Sequence, residues 1–119
     1  MSQDFQAGDF LIFQIESAYG LLRILVIEET ENGTVWHLAA YNEMFLDIET
    51  ADAALENSSS LTLSKSHIAV TNRAFEATQV ARMKNEPLHE AELEHLAEWR
   101  KNEQGEVSDM SVRLLLGLR

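Results

Sequence analysis

"GDFLIFQIESAYGLLRILVIEE", residues 8–29, decides how the chain folds. It is rich in aromatic and β-branched residues, with Phe10 and Ile12 on one side of an extended backbone and Leu11, Phe13 and Ile15 on the other. A turn at Glu16-Ser17-Ala18 divides it into two strands. Asn32-Gly33 then predicts a type I′ hairpin into a third strand, "TVWHLAAYN" (34–42), because both residues tolerate positive φ. A sheet with one wet face alternates apolar and polar side chains, whereas these strands are apolar on both faces for much of their length. The expectation is an α+β fold: a small, strongly bent antiparallel sheet that curls toward a partial barrel and is capped by a helix.

The rest of the chain fits around that sheet. "DIETADAALEN" (47–57) predicts a short helix, "NSSS" (57–60) a turn, and "LTLSKSHIAVT" (61–71) another strand. "NRAF" (72–75) allows one helical turn, and "TQVARM" (78–83) reads as the last strand. The clearest helix is "PLHEAELEHLAEWRKN" (87–102), in which Leu88, Leu93, Leu96, Ala97 and Trp99 share one arc and Glu90, Glu94, Glu98 and Lys101 gather opposite. The tail "VSDMSVRLLLGLR" predicts a short terminal helix, with a strand as the competitor, Ser108 or Asp109 as N-cap and Gly117 as stop. With one proline and no low-complexity run, residues 1–119 read as a single domain, a barrel-like sheet over 7–84 and a helical segment over 87–119.

Charge narrows the class of partner. The 119 residues carry a formal net charge of −11, and no basic residue falls between Arg23 and Lys65. Glu28, Glu29, Glu31, Glu43, Asp47, Glu49 and Asp52 lie in that interval, with Glu56 beyond them. Such a field repels phosphate backbones and anionic membrane surfaces, so neither nucleic acid nor membrane is expected as a partner. It attracts a basic protein, and the seven carboxylates from Glu28 to Asp52 are the expected contact face. No run approaches the ~20 apolar residues that span a bilayer. The start "MSQDFQAGDF" lacks the positive end and apolar centre of a secretory signal, which makes a cytoplasmic protein the simplest expectation. There is no cysteine, hence no disulfide, thiolate nucleophile or sulfur-ligated zinc.

Catalytic and metal-binding patterns are weak. "PLHEAELEH" (87–95) holds two histidines and three glutamates, but His89 and His95 are six apart, ~240° around a helix, and cannot share one ion there. With His89 as N-cap, Glu92 falls at N3 to form a capping box, and Leu88 and Leu93 form a hydrophobic staple. Ser66 and His67 are adjacent, so in a regular strand they diverge to opposite faces. The five glycines are isolated and make no phosphate loop, and no cofactor or metal is expected. Arg23 interrupts an apolar strand and needs a carboxylate or carbonyl partner if buried. Arg23, His37 and Tyr41 are the residues most able to line a pocket; an enzyme would use Arg23, His37 and Asp47 on a small polar molecule. A structural homodimer through "VRLLLGL" is a third reading.

Several short motifs resemble the immunity proteins of bacterial polymorphic toxin systems that adopt an SH3-like barrel. Gly8-Asp9 opens the first strand, Tyr19-Gly20 leads into a second strand bearing Arg23, and Pro87-Leu88 introduces the C-terminal segment, as in that group. The similarity spans residues 7 to about 96. The chain has Glu76-Ala77-Thr78 where the group has a tryptophan before its last strand, and the tail has no counterpart. The resemblance implies an SH3-like barrel, no enzymatic activity, and neutralisation of a toxin domain by binding.

Overall fold

The structure is a computed structural model that describes residues 5–102 and 106–117. Five strands, β1 (Asp9–Ile15), β2 (Ala18–Thr30), β3 (Gly33–Phe45), β4 (Leu63–Thr71) and β5 (Val80–Asn85), form one sheet in the order β4-β3-β2-β1-β5. Every neighbouring pair is antiparallel. Four helices accompany it: α1 (Ile48–Leu55), α2 (Asn72–Thr78), α3 (Glu90–Lys101) and α4 (Val112–Leu115), with a 3-10 turn at Ser58–Ser60. This is the expected α+β class, but β4 and β5 are opposite edges and the sheet does not close.

The two-faced apolar strands have another cause than closure: helices cover both sides. On one face Leu11, Phe13, Leu22, Ile24, Trp36 and Leu38 pack with Phe75 of α2 and Val112 of α4. The Trp36 and Phe75 rings stack at 3.8 Å, and the Trp36 Nε1–H donates to Asn72. On the other face Phe10, Ile12, Leu21 and Tyr41 pack with Ala51 and Leu55 of α1, while α3 crosses toward β4, its Leu96 buried. Covering both faces makes near-continuous apolar strands favourable even in an antiparallel sheet.

Bulges distort this sheet at several points, between Ile24 and Val26, Leu38 and Ala40, and Phe10 and Leu11 in their respective ladders. Each adds twist and re-aims side chains. The turn between β2 and β3 differs from the type I′ expectation. Thr30 pairs with Gly33, so Glu31 and Asn32 are the loop. Gln79, which ends α2, is the only described non-glycine residue at positive φ, whereas Gly33 sits at φ +109°. The glycine absorbs the left-handed conformation as the first residue of β3.

Local signals placed the helices well. Asp47 caps α1, accepting from the Thr50 N–H at 2.8 Å, and Thr71 caps α2. The tail helix starts later than Ser108, with Ser111 as its N-cap. Ser108 instead bridges to β4, its N–H donating to the Ala69 carbonyl and its carbonyl accepting from the Thr71 N–H. Val112 is fully buried, and Leu115 and Leu116 pack on the same core. Val112, Leu115 and Leu116 of "VRLLLGL" therefore help complete their own domain, while Leu114 stays 61% exposed.

Candidate functional site

Arg23 organises the α3 side of the sheet. It sits buried opposite Ala39, its guanidinium 4.2 Å from the Phe10 ring centroid. Its Nε donates to Glu92 Oε2 at 2.9 Å and its Nη2 to Glu92 Oε1 at 3.3 Å and to the Pro87 carbonyl at 3.1 Å. Its Nη1 donates to the Gly8 carbonyl. Burial raises the Glu92 carboxyl, but Arg23 and the His89 N–H outweigh it and hold it below the usual carboxylate range. Glu92 is thus both the N3 partner of His89, accepting from its N–H at 2.9 Å, and the counter-charge of Arg23.

Beside this pair lies a pocket of about 210 Å3 between α3, the 3-10 turn and the sheet. Arg23 and Tyr41 line it, but His37 and Asp47 do not. His89 and His95 both reach it, because His89 lies outside the helical repeat as N-cap. Ser66 also lines it, although His67 lies on the same side of the sheet. The register shift between Leu38 and Ala40 sets Ser66 and His67 against a single partner residue, so the neighbours no longer diverge.

His37 is buried elsewhere, under Trp99, at 5.0 Å between ring centroids. Its Nε2 lies 2.9 Å from Glu28 and its Nδ1 2.9 Å from His67 Nε2. A carboxylate only accepts, so His37 Nε2 donates to Glu28, and His67 Nε2 donates to His37 Nδ1. Burial, helped by neighbouring His37, His95 and Arg100, pushes His67 down to about 4; burial also lowers His37, against the pull of Glu28. Both imidazoles are held neutral in the fold. The unfolded chain binds their protons near pH 6.5, so this stability is complete above that pH and falls as the pH drops toward about 4. Thermal melts from pH 7 to 4 should show the decline, and His67→Phe should flatten it. An equally steep decline in that variant would exclude His67 as its source.

Arg23, His37 and Asp47 therefore do not converge. Arg23 and His37 are buried and paired with carboxylates, and Asp47 caps α1. The arrangement offers no general acid–base pair for the small-molecule enzyme reading.

The acidic stretch is not one face either. Glu28 and Glu29 lie near the end of β2 and Glu31 lies in the β2–β3 turn; there Glu28 meets His37 and lies 4.0 Å from Arg100, and Glu29 accepts from the Thr34 hydroxyl. Glu43 lies near the other end of the hairpin, where Tyr19 pairs with Phe45, and Asp47, Glu49 and Asp52 lie just past it. Strand β3 has 13 residues at about 3.3 Å each, and the molecule's longest extent is 39 Å. Most of its length separates the groups.

The second group has a feature the charge pattern did not disclose. Met44 is 44%, Leu46 85% and Ile48 50% exposed, interleaved with Glu43, Asp47 and Glu49. Glu43, despite slight burial that raises it, is held below the usual carboxylate range by the Thr62 hydroxyl and N–H. Asp47 is lowered by the Thr50 N–H and hydroxyl. The corner is apolar and permanently anionic at neutral pH. The run "MFLDI" (44–48) was the available signal: four apolar residues leaving a strand. No protein-family model matches the chain, and neither does any curated protein or solved structure.

Proposed function

We propose that this domain is a non-enzymatic protein-binding module that recognises a basic partner through the corner where β3 runs into α1. The observation that carries this reading is the exposure of Met44, Leu46 and Ile48 among Glu43, Asp47, Glu49 and Asp52. Exposed apolar side chains supply the desolvated centre of an interface, and surrounding carboxylates supply steering and choice of partner. Thr50 and Thr62, not cations, hold the Asp47 and Glu43 carboxylates, so complementarity selects a cationic surface carrying an apolar cleft. A basic toxin domain met in the cytoplasm is the partner that the resemblance to immunity proteins suggests.

The double variant Leu46→Ser/Ile48→Ser tests it. Both side chains are already solvated, so the melting temperature should stay within a few degrees of the parent's. A basic protein retained by the parent on an affinity column should be lost by the variant. Loss of two apolar anchors is expected to weaken binding by about 2–4 kcal/mol, thirtyfold or more. Equal retention by both proteins would refute the corner as the contact.

A further inference from the structure

The pocket beside Arg23 has its own chemistry, which needs no partner protein. Its buried or part-buried charges, Arg23, Glu92 and Glu86, are already paired. Arg23 spends its donors on Glu92 and on the Gly8 and Pro87 carbonyls, and Glu86 is held by Lys84 at 2.9 Å and by the Ser58 hydroxyl. A charged ligand that approached Arg23 or Glu86 would displace a pairing already made. Phe10, Ala39, Leu61 and Leu63 give the walls their apolar character.

One buried polar group has no protein partner among the described residues. Tyr41 is only 8% exposed, yet its hydroxyl has no hydrogen-bond partner among the described residues and is not sealed from the pocket. Burial raises its pKa to about 12, so it stays a phenol, a donor, throughout the neutral range. A buried donor with no protein partner favours a ligand that brings an acceptor. The volume, about 210 Å3, exceeds the roughly 150 Å3 that encloses a benzene molecule, and so fits one ring with a substituent.

We propose that this pocket is a binding site for a small uncharged planar-ring molecule carrying one hydrogen-bond acceptor, taken by the Tyr41 hydroxyl against the Phe10, Ala39 and Leu61 walls. Four probes of nearly equal shape separate the alternatives: benzamide, benzoate, benzylammonium and toluene. Each is titrated into the intact chain to millimolar concentration while backbone amide NMR shifts are followed.

Benzamide should shift the amides of residues 39–41, 61–66 and 89–95 and bind more tightly than the other three. Tyr41→Phe should weaken benzamide about two- to tenfold, toward the toluene value, by loss of one hydrogen bond. It should leave toluene unchanged, and its melting curve reports whether the fold is retained. Ala39→Leu, which fills the cavity, should abolish the shifts for benzamide and toluene alike. The proposal is overturned by preference for benzoate or benzylammonium, by equal binding of benzamide to Tyr41→Phe, or by no saturable shift with any probe.

Discussion

Glu92→Ala is expected to destabilise the domain by about 3–5 kcal/mol, a loss of roughly 10–20 °C in melting temperature for a chain of this size. Arg23 is buried in the sheet, and Glu92 is its only carboxylate partner among the described contacts. Removing that partner leaves a guanidinium with two carbonyls and no counter-charge, and desolvation makes an unpaired buried charge expensive. The first turn of α3 also loses the bond from the His89 N–H. The reverse change, Arg23→Met, should cost less, because the Glu92 side chain is 24% exposed and can turn to water while Met fills the apolar site. Urea unfolding of both variants gives the order. If Glu92→Ala loses under 1 kcal/mol, the pair does not hold α3 to the sheet.

Gly8→Ala is expected to cost about 2–5 kcal/mol, from a left-handed backbone and a forced displacement together. Gly8 has φ +93°, and a Cβ placed on it would sit 2.6 Å from the Glu86 carbonyl oxygen. Its own carbonyl accepts both from the Glu86 N–H and from Arg23, while its N–H donates to Ile24 at 2.8 Å. One residue thus joins β2, the end of β5 and the buried guanidinium. Gly33→Ala is the control: φ is +109° there, but nothing lies within 4 Å of the added carbon. It should cost only about 1–2 kcal/mol. Equal losses at the two glycines, measured by the same denaturation, would show that the close approach at Gly8 does not matter.

Local chemistry made much of this structure legible before any coordinates. The runs of Phe, Leu, Ile and Val marked β1 to β3, the spacing of Leu93, Leu96 and Trp99 marked α3, and the relation of His89 to Glu92 marked its start. The need of Arg23 for a partner was also visible, but the partner lies 69 residues away. Glu92 already had a local role as a capping residue, and nothing local signals a second one. Apolar residues on both strand faces pointed to a curled, closing sheet, yet the same pattern arises when helices cover both sides, and periodicity does not distinguish them.

Charge misled for a related reason. Sequence places Glu28 and Asp47 in one cation-free interval, whereas a long hairpin carries them to opposite ends. The Ser66–His67 bulge was hidden too, because an extra residue in a strand has no compositional mark at that point. The exposed Leu46 and Ile48 were readable only once β3 was known to end at Phe45.

The most direct test of the binding corner is a calorimetric titration of the retained basic partner into three proteins at low and physiological salt: the parent, Leu46→Ser/Ile48→Ser, and a control neutralised at Glu29 and Glu31. The account predicts affinity that weakens with salt in the parent, a loss of thirtyfold or more in the corner variant, and near-parental affinity in the turn control. Full affinity in the corner variant, with the loss falling on the turn control, would contradict it.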